Sequence, residues 1–187
     1  MDAARKTAIK PKEKDNTKKI ALPVDSSGQI RKVIDSNKNV LICGIKGVGK
    51  ITNTVQAVSD NTNVYYIGNP VDYEGKTRPG SYEKYLKYIL SLKKDIRIVD
   101  DMNELFSQKE DIILIIDEIY GRSEAQLAQI SRLLDMKNIR IIQIVGCMKY
   151  MVGLIEKIDA IVELHLDGIF LIDKEFGRAI CNILGRK

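Results

Sequence analysis

A three-layer α/β fold, with a mainly parallel sheet and a C-terminal antiparallel hairpin at one edge, is predicted by three observations. Short apolar runs at 40–43 and 112–116 have the length and composition of strands buried on both faces, the mark of a parallel sheet. Amphipathic helical patterns lie between such runs, as repeated strand–helix units require. Near the end, Asp167-Gly168 separates two short apolar segments, a type I′ hairpin signal.

Taken in order, the pattern predicts a short helix over 26–35 with Val33 and Ile34 inward, then a strand over 39–43 and a helix over 50–59. A strand over 63–67 and a helix over 81–92 follow, the helix carrying Tyr82, Tyr85, Leu86 and Ile89 on one face. A short strand over 96–99 and a helical turn over 102–106 lead into the most hydrophobic strand, 111–116. Ser123 is placed to cap a helix ending at Asp135, with Leu127, Ile130, Leu133 and Leu134 inward. A buried strand over 139–145, a helix over about 149–157, hairpin strands over 161–166 and 169–173, and a last segment over 176–184 complete the chain.

The 187 residues, 44% hydrophobic and 29% charged, suit one medium-sized globular domain and exclude a disordered chain. Residues 1–25 are Lys-rich and lack both periodicities, so they are expected to form a basic flexible arm ahead of a domain over 26–187. Residues 1–38 hold ten Lys/Arg and five Asp/Glu, whereas residues 39–187 hold twenty of each. The net +5 therefore belongs to the N-terminal region, and a uniformly basic nucleic-acid-binding body is excluded. Cys43, Cys147 and Cys181 are widely spaced and form no C-x-x-C, so neither a disulfide framework nor a zinc site is encoded. That usage predicts a reducing compartment and a cytoplasmic location. No apolar run approaches the roughly 20 residues of a membrane span.

Chemistry concentrates after the first strand, at Gly44-Ile45-Lys46-Gly47-Val48-Gly49-Lys50, with Ile51 and Thr52 opening the helix. The spacing G-x-x-x-x-G-K between a strand and a helix makes a cradle of inward-pointing backbone N–H groups. The helix dipole and the Lys50 ammonium add positive charge, so a triphosphate fits. The position after the lysine is Ile51, where a Ser or Thr would put a hydroxyl on Mg²⁺. Thr52 is one residue on, and one helical step turns a side chain by about 100°.

The strand over 112–116 ends in Asp117-Glu118. The carboxyl ends of parallel strands line the ligand crevice, which brings both acids beside the phosphate loop. Asp117 is the candidate Mg²⁺ ligand and Glu118 the candidate base for an attacking water. A second pair, Asp100-Asp101, ends another strand, and a helix N-cap competes there with a place in the crevice.

Residues 44–50 resemble a Walker A motif, and residues 113–118 resemble a Walker B motif followed by the catalytic glutamate of the additional-strand (ASCE) P-loop ATPases. The resemblance spans about residues 36–173. It implies a P-loop NTPase fold binding ATP and Mg²⁺, with Lys50 on the phosphates, Asp117 on the metal and Glu118 as the base. The ending over 159–168, together with Phe176-Gly177-Arg178, resembles the compact RecA-like and FtsK/HerA-type DNA-translocating or packaging ATPases. That branch implies a homo-oligomer working on DNA, with an arginine finger that sequence does not choose among Arg122, Arg132, Arg140 and Arg178. Gln143 and Lys149 are candidates for a γ-phosphate sensor.

Two rivals stay open at this level. Ile51 suits an ATP-binding switch or assembly protein with weak hydrolysis, and a lidless AAA-type initiator or helicase loader is the other. Residues 68–80, containing Lys76 and Arg78, are a candidate DNA or partner contact. His165 suits an outward or edge position in an alternating strand, and Cys43 and Cys181 suit small core sites. The tyrosines over 64–66 and 82–88 suit packing, with base stacking as the competing use.

Overall fold

The structure is a computed structural model that describes residues 25–69, 79–119, 121–146, 148–151 and 153–185. The basic arm lies outside these residues apart from Asp25, as do most of the 68–80 loop, Cys147 and the side chain of Lys149.

Helix α1 (Ser27–Ser36) leads into β1 (Asn39–Cys43), α2 (Lys50–Ala57), β2 (Val64–Ile67) and α3 (Pro79–Leu92). Then come β3 (Arg97–Ile98), a 3₁₀ helix (Met102–Ser107), β4 (Ile112–Asp117), α4 (Glu124–Asp135) and β5 (Ile139–Ile144). Two 3₁₀ turns, the hairpin strands β6 (Ala160–His165) and β7 (Gly168–Ile172), and α5 (Lys174–Gly185) follow.

Among the described residues the strands form one sheet in the order β3-β2-β4-β5-β1-β6-β7. Every neighbouring pair is parallel except β6–β7, so the hairpin extends one edge as the sequence predicts. β5 lies between β1 and β4, which puts the strand ending in the glycine-rich loop one strand away from the strand ending in the acids.

Side-chain alternation splits the core between the two faces of the sheet. Val40, Ile42, Ile113, Ile115, Ile142 and Ile144 pack with Ile30 and Ile34 of α1, Val55 of α2 and Ile89 of α3. Leu41, Cys43, Leu114, Ile116, Ile139 and Ile141 pack on the other face with Ile130, Leu133 and Leu134 of α4 and Cys181 of α5. Both described cysteines are buried, as small core residues would be. Burial pushes the Cys43 thiol up to about 12, where it is inert at neutral pH.

Local chemistry explains several element ends. Ser123 caps α4 through a reciprocal box, its Oγ accepting from Gln126 N at 3.3 Å while its own N–H donates to Gln126 Oε1 at 3.0 Å. Asp101 caps the Met102–Ser107 turn by accepting from Asn103 N at 2.9 Å, which decides the role of that acid.

Two expectations need correction and one is sharpened. The helix predicted over 149–157 is two 3₁₀ turns, Met148–Met151 and Ile155–Lys157, because Gly153 sits between them at φ 82° and breaks the right-handed path. Val33 and Ile34 both face the core as predicted, Val33 half-buried against it, while Ile30 and Ile34, four apart, make the fully buried stripe of α1. In the hairpin, His165 pairs with Gly168, so Leu166 and Asp167 form the two-residue loop. Neither of them has a positive φ, whereas a type I′ turn needs left-handed backbone at both loop positions.

Gln143 is fully buried in β5, opposite Leu41 and Ile116, and neither its Nε2 nor its Oε1 has a hydrogen-bond partner. It shares the face of Ile139 and Ile141, two and four residues back, and so faces the α4 side, away from Asp117, which shares the face of Ile113 and Ile115. A γ-phosphate sensor role for Gln143 has no geometric support. An unpartnered buried amide costs the fold, so Gln143→Met is expected to stabilise the domain by about 1–3 kcal/mol. The denaturant midpoint at unchanged slope measures it.

Candidate active site

The carboxyl end of β1 turns into residues 44–50, and three glycines make that path possible. Gly44 has φ 142°, and a Cβ there would fall 2.4 Å from the carbonyl oxygen of Leu164 on β6. Gly49, at φ 84°, is the left-handed N-cap of α2, and Gly47 at φ 89° turns the loop before it. Val48 is buried in the core and anchors the loop, whereas Ile45 is 69% exposed. Lys46 is exposed as well. Asn53 locks the start of α2, donating from Nδ2 to Gly49 O at 3.1 Å and accepting from Ser26 N at 2.7 Å.

Lys50 folds back over this loop, its Nζ donating to Gly44 O at 2.7 Å and to Ile45 O at 3.0 Å. Burial lowers its pKa, and the negative charges of Glu118 and Asp117 pull it back up. The loop lysine therefore shares one electrostatic neighbourhood with Asp117 at the end of β4 and Glu118 just after it.

Asp117 is half-buried at the end of β4. Its Oδ2 accepts from Tyr66 Oη on β2 at 2.9 Å and from Tyr85 Oη on α3 at 2.7 Å. Desolvation raises its pKa, while the two phenols, Lys50 and Arg122 favour the anion. Glu118 has a left-handed φ of 48°, uncommon for a non-glycine residue, and its N–H donates to Ile144 O at 2.8 Å. Its Oε2 accepts from Gly146 N at 2.9 Å, just past β5.

Arg122 braces these residues from below. Its Nε donates to Glu118 O at 3.1 Å, and its Nη2 donates to Gly68 O at 3.1 Å and Asp117 O at 3.2 Å. It ties the ends of β2 and β4 together inside its own chain, and burial lowers its pKa. Arg132 stacks 4.4 Å over the Phe106 ring, and Arg178 pairs with Glu156 at 2.8 Å. Arg140, at the start of β5, lies 3.9 Å from Asp35 at the far end of the sheet. Of the four arginines considered for a finger, Arg122 alone touches the site, as an internal brace.

Ile51 is half-buried and packs against the α1–α3 core, so position 51 brings no hydroxyl. Thr52 Oγ1 is 2.6 Å from Tyr88 Oη, a bond to α3. His165 sits beside Glu163 at 3.3 Å and meets Phe170 edge-on; it is exposed at the end of β6, one strand in from the edge.

Residues 44–50, Asp117 and Glu118 were legible as site candidates, and Arg122 only as one of four possible fingers, not as a brace; Tyr66 and Tyr85 were not legible as partners of Asp117. Their signal was faint: a buried Tyr needs a partner for its hydroxyl, and a Tyr in place of Phe inside an apolar strand is the only hint sequence offers.

No protein-family model and no curated protein matches the chain. The geometry carries the functional argument alone.

A triphosphate with a hard cation fits the donor set. A loop of left-handed glycines makes the cradle, the Lys50 ammonium folds over it, and the charges of Asp117 and Glu118 act on that ammonium. Magnesium is characteristically held by one or two carboxylates together with substrate phosphates. Among the described residues no group of three or more His, Cys, Asp or Glu is placed to hold a metal without such phosphates.

The raised pKa of Asp117 has a stability consequence. The native state holds the proton more tightly than the unfolded chain does. The stability linked to this group is thus present at low pH and is lost as pH rises through its native pKa. Asp117→Asn is expected to raise the thermal midpoint of the nucleotide-free protein at pH 7, with the gain vanishing below about pH 4. Melting curves across that range check the sign.

Proposed function

We propose that the chain is a P-loop ATPase of the additional-strand type, binding ATP with Mg²⁺ through residues 44–52 and coupling hydrolysis to work on DNA as an oligomer. The observation that carries this reading is the meeting of two strand ends. A glycine loop with its lysine follows β1, an Asp-Glu pair ends β4, and one strand, β5, stands between them. The local sequence pattern does not dictate that order.

In this reading Lys50 exchanges the carbonyls of Gly44 and Ile45 for phosphate oxygens, so the loop is held open for the ligand beforehand. Backbone N–H groups of 45–50 and the N-terminus of α2 supply the remaining donors. Asp117 holds the cation, and Arg122 and the two phenols hold Asp117. Bound Mg²⁺ supplies charge neutralisation on the phosphates. Glu118 leaves Gly146 N–H to orient and deprotonate water. Beside the loop, Ile45, Val48, Leu164 and Leu166 line a hollow that offers apolar surface to a nucleoside.

A second reading, a nucleotide-holding switch with little turnover, draws on Ile51, half-buried against the core, and Glu118 engaged by Gly146. Support for DNA comes from the +5 before Asn39. Phosphate release from ATP by the full chain, with and without duplex DNA at two salt concentrations, separates the readings. Magnesium-dependent turnover stimulated by DNA, and weakened by salt or by removal of residues 1–22, fits the motor. Tight nucleotide retention without turnover fits the switch.

A further inference from the structure

The carboxylate of Asp117 is held in a way the loop sequence does not suggest. Tyr66 reaches it along the sheet from β2, and Tyr85 reaches it from α3, both donating to the same oxygen, Oδ2. On α3 these contacts form a series. Tyr82 packs against the end of β2, where a Cβ on Gly68 would come within 2.5 Å of its hydroxyl. Tyr85 takes Asp117 one turn later, and Tyr88 takes Thr52 of α2 a turn after that. Three residues is the spacing of neighbours on one helix face, so α3 turns one row of hydroxyls toward the ends of β2, β4 and α2.

Packing alone does not call for hydroxyls here. Phe fills the same volume, and a phenol is worth its desolvation only where its O–H finds an acceptor. Two phenols on one carboxylate oxygen fix the rotation of that group about its Cβ–Cγ bond. Partners of this kind behind a metal-binding carboxylate hold its geometry and tune its affinity. Meanwhile the second residue of α2, Ile51, packs half-buried against the core and supplies no polar group.

We propose that Tyr85 and Tyr66 are positioning residues for the magnesium–nucleotide complex, orienting the Asp117 carboxylate and making good the hydroxyl that Ile51 lacks. The inference rests on the nucleotide-site reading above and deepens it. The cation is seated by a carboxylate aimed from β2 and α3, and α3 becomes part of the site through its hydroxyl row.

The test is equilibrium binding of a fluorescent ATP analogue to the full chain, in Mg²⁺ and in EDTA. The variants are Tyr85→Phe, Tyr66→Phe and the double variant Tyr85→Phe/Ile51→Thr, with Tyr65→Phe as control. The Tyr65 hydroxyl is bonded to Arg97, away from Asp117. The affinity gained on adding Mg²⁺ is expected to fall about tenfold in Tyr85→Phe and in Tyr66→Phe. Affinity in EDTA is expected to hold, the control to keep the full gain, and Ile51→Thr to restore much of what Tyr85→Phe loses.

Tyr85 leads because it is half-buried, whereas Tyr66 is fully buried; a thermal melt of each variant shows that it is folded. An undiminished magnesium gain in folded Tyr85→Phe overturns the inference. So does a loss of equal size in EDTA, or a failure of Ile51→Thr to restore any of it, since either assigns the tyrosine to packing. An unaltered chain that binds the analogue in neither condition overturns the nucleotide-site reading, and this inference with it. Binding that responds to Mg²⁺ but not to the tyrosines overturns the inference alone.

Discussion

Replacing Glu118 by Gln is expected to lower ATP hydrolysis by about 10²–10⁴-fold, the range over which a positioned base contributes, while nucleotide binding is kept. The substitution is isosteric, and an amide oxygen still accepts from Gly146 N–H, so the contact that holds the side chain survives. The main-chain bonds of residue 118, to Ile144 O and from Arg122 Nε, do not depend on the side chain. What is removed is the ability to take a proton, together with one negative charge beside Lys50. Backbone strain points the same way: a φ of 48° at a non-glycine residue is retained where the surroundings over-determine it, and such residues cluster at functional sites. Single-turnover phosphate release beside equilibrium binding separates the two effects. Wild-type-like turnover in Glu118→Gln would assign the base elsewhere.

Lys50→Ala is expected to weaken ATP binding by about 10²-fold or more, as removal of charged hydrogen bonds of about 1.5–3 kcal/mol each implies. The fold should lose little. The Lys50 ammonium is partly desolvated in the ligand-free chain, and the carbonyls it bonds belong to an open loop. Titration calorimetry with a thermal melt of the same variant measures both, and the expected pattern is lost affinity with a midpoint held or raised. A variant that binds ATP normally would remove the lysine from the phosphate site.

Features set by neighbours in sequence were legible, and features set by contacts across the fold were not. β1 matches its predicted bounds because five consecutive residues are buried on both faces of the sheet. Ser123 and Gln126 announce the start of α4 three residues apart, and the glycines of residues 44–50 announce a path that other residues resist. The helix expected over 149–157 failed at one residue, Gly153, whose left-handed backbone outweighs the apolar spacing around it. The turn shifted by one residue because pairing of Gly168 with His165 outweighed the Asp-Gly signal.

The site divides in the same way. Gly44, Lys50, Asp117 and Glu118 stand in short motifs. Tyr66, Tyr85 and Arg122 act over 51, 32 and up to 54 residues of chain, distances at which no local pattern operates. The place of β5 between β1 and β4 is likewise a property of the assembled sheet.

The central claim is that residues 44–50 form a phosphate cradle for a nucleoside triphosphate. Equilibrium binding of labelled ATP to the full chain in Mg²⁺, with competition by tripolyphosphate and by adenosine, tests it most directly. The account predicts one ATP per chain, displaced by tripolyphosphate but not by adenosine at equal concentration, and lost in Lys50→Ala. Absence of ATP binding, or binding that adenosine displaces and Lys50→Ala leaves intact, would contradict it.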